Sequence, residues 1–119
     1  MTEKRDKNQN KLPTDIYLLY ESEIIPITNK VFRLGRGVDN HIVFQRETVS
    51  RNHAEIRYQD GLFSIIDLES TGGTFVNNQK IDTQELKSGD ILLLADVPMM
   101  FIIDDGSLLS KSEKRTDGL

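Results

Sequence analysis

No cysteine occurs anywhere in the 119 residues. That excludes a disulfide framework, a thiolate metal site and a cysteine nucleophile. Long apolar runs are missing too, since none approaches the ~18 residues that a membrane-spanning helix requires. The opening "MTEKRDKNQNKLP" lacks the apolar segment of a signal peptide. A soluble, cytoplasmic chain without membrane contact is therefore expected. No sustained helical period, internal repeat or low-complexity tract is visible. A chain of this length is one domain's worth and can bury roughly two thirds of its unfolded surface without staples.

Positive charge is scarce where a core would form. Residues 14–105 hold eight basic groups against fifteen acidic ones, a net of −7. Nucleic-acid binding draws its affinity from many Lys and Arg contacts to phosphate, so so acidic a segment argues against a nucleic-acid partner. Yet five of those eight, Arg33, Arg36, Arg46, Arg51 and Arg57, fall within 25 positions, and all are arginine. Arginine's planar fork suits bidentate recognition of carboxylate or phosphate.

What is present is a succession of short apolar runs with β-branched enrichment. They read "DIYLLY", "EIIPI", "VFRLGR", "HIVF", "HAEIRY", "LFSIIDL", "GTFV", "QKI", "DILLLA" and "MMFII", separated by turn signals such as "DG", "NN" and "SGD". Strands this short and this evenly spaced predict an all-β sandwich or barrel over residues 14–105. Residues 1–13 and 106–119 are polar and predict disordered tails.

Three polar loops interrupt the strands: "GRGVDN" after "VFRL", "ETVSRN" between "HIVF" and "HAEIRY", and "ESTGGT" after "SIIDL". Loops on a rigid β scaffold are where binding groups concentrate. These offer Arg36, Ser50 with Arg51, and Ser70 with Thr71, together with glycine-rich main-chain N–H groups. All are donors suited to an anion rich in acceptor oxygens, such as a phosphate monoester of charge ≈ −1.5 to −2. Donors without a carboxylate cluster suit holding a phosphate, not cleaving it.

"LGR" at 34–36, Asn40 with Ile42, "VSRNHAEI" at 49–56, "DLESTGGTFVNN" at 67–78 and "LKSGDILLL" at 86–94 together resemble the forkhead-associated (FHA) domain family. The resemblance implies a β-sandwich of two antiparallel sheets that binds phosphothreonine peptides through loops at one end, acting as an adaptor in Ser/Thr kinase signalling. It implies that Arg36 and Ser50 hold the phosphate, that Thr71 bonds to it or to the peptide, and that Arg51 adds a contact nearby. Gly72 falls within the peptide-binding set, and Gly35, Asn40, His53 and Asn77 fall among the residues that support it. Gly35 permits close packing beside Arg36, His53 braces the serine loop, and Asn77 with Asn78 suits a hairpin turn needing positive φ. Asp67 closes a strand against a neighbouring loop. Arg46 and Thr48 are candidates for reading the residue three places after the phosphothreonine.

The family pattern reads S-x-N-G-T where this chain has Ser70, Thr71, Gly72, Gly73 and Thr74, so an asparagine that usually bonds the peptide backbone is missing. If a lost contact is all that this means, Gly72→Asn should recover about 0.5–1.5 kcal/mol. The departure also leaves open a scaffold that binds its partner without phosphate. A serine hydrolase built on Ser50, His53 and Asp67 is the third reading; no G-x-S-x-G elbow accompanies them, so a non-enzyme without cofactor or metal is expected. The expected partner is a phosphothreonine protein or peptide bound by a monomer. Its own tails, through Thr2 or Thr116, are further candidate ligands.

Overall fold

The computed structural model describes residues 11–104, and within them every regular element is a strand. In chain order these are β1 (Ile16–Tyr20), β2 (Glu23–Pro26), β3 (Val31–Gly35), β4 (Ile42–Val43), β5 (Ala54–Gln59) and β6 (Leu62–Asp67), followed by β7 (Thr74–Val76), β8 (Gln79–Ile81), β9 (Thr83–Glu85), β10 (Ile91–Leu94) and β11 (Val97–Ile103). They form a six-stranded sheet ordered β2-β1-β11-β10-β7-β8 and a five-stranded sheet ordered β4-β3-β5-β6-β9. Pairing is antiparallel throughout except between β3 and β4. The expected two-sheet sandwich is what the chain forms. No helix among the described residues is long and apolar enough to cross a membrane.

Alternation in sequence decides which side chains enter the core. Leu18, Leu34, Ile65, Leu92, Leu94 and Phe101 are fully enclosed between the sheets. Burying each side chain of this kind contributes about 1.5–3 kcal/mol. Phe63 stacks obliquely between Tyr58 and Phe101, with ring centroids 4.7 and 5.3 Å away, and so ties the two sheets together.

Two strands differ from expectation. "HIVF" forms a ladder only at Ile42 and Val43, because Phe44 leaves the sheet edge to enter the core. Thr83–Glu85, "TQE", has no apolar pattern and all three residues are exposed, yet it pairs with β6 through Ser64↔Glu85 and Ile66↔Thr83. An edge strand whose only partner is a main-chain ladder leaves little hydrophobic signature. Of the expected tails, residues 1–10 and 106–119, with Thr2 and Thr116, lie outside the described residues. Leu12 is described and packs against the core.

The outer faces of the two sheets are unlike. On the five-stranded sheet the outward positions mix Arg33, Glu55, Arg57 and Gln59 with the exposed Val31 and Leu62, and Glu55 is flanked by both arginines. On the six-stranded sheet the outward positions of its three central strands are Tyr17, Leu19, Ile91, Leu93, Met100 and Ile102, side by side through the registers Leu19↔Met100 and Ile91↔Met100.

Candidate functional site

The three polar loops meet at one end of the sandwich, stitched together by main-chain and side-chain hydrogen bonds. Arg36, just past β3, donates its amide to the Ser50 carbonyl (2.9 Å), and its Nε to the Val49 carbonyl (2.9 Å). Gly37 N–H reaches the Arg51 carbonyl at 3.0 Å. Asn40 Nδ2 donates to that same carbonyl (2.7 Å) and to the Gly37 carbonyl (2.8 Å), so it clamps the first loop on the second. The tightness explains Gly35: a Cβ there would lie 2.1 Å from the Arg51 oxygen and 2.7 Å from Asn40 Nδ2. Val49, which the polar stretch around it hides, is fully buried and plugs the loop into the core.

His53 joins the second loop to the third. The Ser50 amide donates to its Nδ1 (3.0 Å), and its Nε2 donates to the Gly73 carbonyl (2.9 Å). An amide can only donate and a carbonyl only accept, so the proton sits on Nε2. Ser50 Oγ in turn accepts from the Thr71 amide at 3.0 Å. A hydroxyl that accepts one bond still has its own proton to give, and Ser50 is half-buried at the cleft wall with that proton unassigned. Asp67 organises the third loop by accepting from Ser70 Oγ (2.5 Å), Ser70 N (3.2 Å) and Thr74 Oγ1 (2.7 Å). Burial pushes its carboxyl upward, but the bonds from Ser70 and Thr74 outweigh this and hold it below the usual carboxylate range. A relay from Asp67 through His53 to the Ser50 hydroxyl is not assembled, because both ring nitrogens are spent on main chain.

Arg36, Ser50, Thr71 and Gly72 line one open cleft of about 470 Å³, together with Glu47, Thr48, Val49, Ala95 and Asp96. Arg36 uses one of its five N–H donors on the Val49 carbonyl, and the exposed guanidinium forms part of the wall. Two carboxylates, Glu47 and Asp96, stand on the same rim. Asp96, in the β10–β11 turn, is missed by sequence reasoning because it neighbours the site only across the fold. It accepts from Thr48 Oγ1 (2.6 Å) and Arg46 Nη2 (3.0 Å). The Thr48 hydroxyl first, then the Arg46 guanidinium, lower its pKa from the ordinary value. Both candidate selectivity residues are thus clasped to the opposite wall.

Arg51 and Asn77 sit elsewhere. The Arg51 carbonyl is central to the loop braces, while its side chain is exposed and outside the cleft lining. Asn77 and Asn78 have φ of 50° and 71° in the β7–β8 turn, as a two-residue hairpin needs, but this turn is at the far end of β7 and β10 from the cleft. Gly72 brings a correction. A Cβ there would meet the Ala95 methyl at 2.6 Å and the Thr48 carbonyl at 3.2 Å, so the position cannot take asparagine unless Ala95 moves. Ala95 itself holds φ at 55°, which costs a non-glycine residue about 1 kcal/mol. Gly72 is a packing adaptation to Ala95, not a vacancy awaiting a side chain.

A sandwich with this loop cluster defines a recognition module of the FHA type. The FHA domain family model matches residues 32–95, and the chain belongs to that family. Among curated relatives, it is 40% identical over 68 residues to the oxoglutarate dehydrogenase inhibitor of Corynebacterium diphtheriae, covering 57% of this chain and 48% of that protein. The chain thus spans about half the length of the curated relatives it matches. A solved FHA domain from work on phosphothreonine-dependent FHA interactions aligns with a TM-score of 0.70 at 28% identity, over 75% of this chain and 96% of that one. Mycobacterium tuberculosis EmbR, solved with a low-affinity phosphopeptide, aligns at 0.73 and 28% identity, over 86% of this chain and 27% of EmbR.

Proposed function

We propose that this chain is a phosphothreonine-peptide binding module that acts as a non-catalytic adaptor in Ser/Thr kinase signalling, with Arg36 and Ser50 on the phosphate and Thr71 beside them. The observation that carries this reading is the convergence of Arg36, Ser50 and Thr71 from three loops on one cleft, on a main chain already fixed by Asn40 and His53. A site ordered before its ligand arrives loses less entropy on binding. In this reading the Arg36 guanidinium and the Ser50 hydroxyl donate to phosphate oxygens, the Thr71 hydroxyl bonds the phosphate or the adjoining peptide, and the threonine methyl is buried against the cleft wall.

Glu47 and Asp96 on the rim disfavour peptides with acidic residues near the phosphothreonine, and Arg51 serves the loop through its carbonyl. A phosphorylated tail, at Thr2 or Thr116, is a further candidate ligand. Phosphate-independent binding is the second reading, favoured by the Gly72–Ala95 packing that leaves no place for the family's asparagine. Titration calorimetry with matched phosphothreonine, phosphoserine and unphosphorylated peptides tests both. Burying one methyl contributes about 0.8 kcal/mol, so phosphothreonine is expected to exceed phosphoserine by several fold. Binding that ignores the phosphate would replace this reading with the second.

A further inference from the structure

We propose, building on the phosphothreonine reading, that Asp96 sets the charge selectivity of the cleft. By clasping Arg46 it leaves carboxylates on the wall, and the peptide that fits has a lysine or arginine within three residues of its phosphothreonine. The second loop is held in two halves. On one side of the buried Val49, His53 accepts from the Ser50 amide. On the other side, among the described residues, Asp96 receives the side-chain bonds of Arg46 and Thr48: Thr48 Oγ1 donates to Oδ1 at 2.6 Å, and Arg46 Nη2 to Oδ2 at 3.0 Å. The guanidinium is thereby drawn off the wall, since Arg46 does not line the cleft while Glu47, Thr48 and Asp96 do.

The charges that remain on the lining are Arg36 against Glu47 and Asp96, a net of −1. A phosphate of charge ≈ −1.5 to −2 pairs with Arg36 and is repelled by the carboxylates, so a cationic residue in the peptide is what balances the cleft. Both carboxylates can accept it. No donor among the described residues bonds the Glu47 carboxylate. Asp96 is 54% exposed, and Thr48 and Arg46 do not fill the roughly four acceptor sites of a carboxylate. Arg46 is neutralised from the β1–β2 turn as well. Burial, then Glu21 and Glu23, raise the pKa of the Tyr20 hydroxyl while Arg46 opposes them, so these charges lie within electrostatic reach of one phenol. An acidic peptide residue reaches Arg46 only by displacing Asp96, and then stands beside Asp96 and Glu47. Thr48 and Ser50 are two residues apart, at most ~7 Å between Cα atoms. An extended peptide advances ~3.3 Å per residue, so a long basic side chain within three residues of the phosphothreonine spans that gap. In this arrangement Arg46, a candidate reader of the peptide, is withheld from it.

Fluorescence anisotropy of the full chain with matched peptides tests the proposal. The peptides differ only in having Lys, Ala or Glu at the positions one to three residues before or after the threonine, and each is made with and without the phosphate. Exposed ion pairs are individually weak, so the Lys phosphopeptide should bind about two- to fivefold tighter than the Ala one, and the Glu phosphopeptide weaker by a similar factor. Added salt should shrink both differences. Asp96→Asn keeps an acceptor for Thr48 but releases Arg46, so the Lys-to-Glu ratio should fall several fold or reverse. Asp96→Glu should preserve the preference for Lys. Adding Arg46→Ala to Asp96→Asn should remove the affinity that the single variant gains for the Glu peptide. Glu47→Gln, at an exposed side chain, should by itself lower the Lys-to-Ala ratio and serves if Asp96→Asn folds poorly. A Lys-to-Glu ratio near one in the parent, with phosphate dependence intact, overturns this proposal and leaves the phosphothreonine reading standing. So does a ratio that neither Asp96→Asn nor Glu47→Gln changes. Peptides that bind equally without phosphate overturn the phosphothreonine reading itself, and the selectivity with it.

Discussion

At one end of the sandwich Asn40, Ser50 and His53 brace loops whose remaining donors border a cleft. At the other end Asn77 and Asp90 brace a hairpin by turning their polar atoms on one another. Asn77 Nδ2 donates to Asp90 Oδ1 (3.0 Å), Asn77 Oδ1 accepts from the Ile91 amide (3.0 Å), and Asp90 Oδ2 accepts from the Lys87 amide (2.8 Å). That end also has a hollow, of about 350 Å³, bordered by Gln84, Glu85 and Lys87. Both ends use polar side chains to brace main chain between strands. What separates them is unspent hydrogen-bonding capacity: a guanidinium with one donor used and a hydroxyl with its proton in hand, against an amide and a carboxylate already satisfied. Polar loop residues alone do not mark a site; donors left over after the loops are built do.

The largest effect that would break this contrast is at Arg36. A charge-assisted hydrogen bond contributes about 1.5–3 kcal/mol, so Arg36→Ala should weaken a phosphothreonine peptide by roughly tenfold to a hundredfold, and Ser50→Ala by about 1 kcal/mol. Thermal unfolding should report a modest loss in each, about 0.5–1.5 kcal/mol, because Arg36 Nε also bonds the Val49 carbonyl and Ser50 Oγ the Thr71 amide. Equal peptide affinity in folded variants would remove the phosphate assignment.

Gly72→Asn comes next, and its expected sign is unfavourable. Overpacking of this kind costs about 1–3 kcal/mol, shared between fold and cleft shape. Adding Ala95→Gly removes the obstructing methyl and the strained φ together, so the double variant should regain most of the loss. A double-mutant cycle in stability and affinity reads the coupling; purely additive effects would mean that the two positions do not press on each other.

At the opposite end Asn77→Ala should cost about 1–2 kcal/mol of stability through its two side-chain bonds and its positive φ. Peptide affinity should not change. A variant that keeps its stability and loses binding would move the functional end of the molecule.

The smallest effect lies in acid. Because Asp67 is held below the usual carboxylate range, the folded state favours its charge more than the unfolded chain does, where the pKa is about 3.9. Its contribution is complete above that value and is lost as pH falls toward the folded one. Acid unfolding of Asp67→Asn should be shallower than that of the parent below about pH 4. Parallel curves would assign the acid sensitivity to other groups.

Most of the fold was legible because its strands bury one face and so alternate. The strand Thr83–Glu85 was not, since it buries nothing and is defined by its ladder to β6. The roles given to Arg36, Ser50, Thr71, Gly35, Asn40 and His53 came from the resemblance to the FHA family, since no local pattern in the sequence says that the three loops meet. Asp96 escaped notice because it faces Thr48 across 48 positions of sequence, and periodicity says nothing about such pairs. Asn77 was read correctly as a turn residue yet lies at the wrong end for the cleft. Gly72 was read as a missing contact because the size of Ala95, the residue that fills its space, has meaning only in three dimensions.

Backbone amide NMR during addition of a phosphothreonine peptide tests the central claim most directly, since it reports both ends of the sandwich in one experiment. The amides of Arg36, Ser50, Thr71 and Gly72 should shift, while those of Asn77, Asn78 and Asp90 stay in place, and the unphosphorylated peptide should move neither group. Shifts centred on Asn77 and Asp90, or equal shifts at the cleft with and without the phosphate, would contradict it.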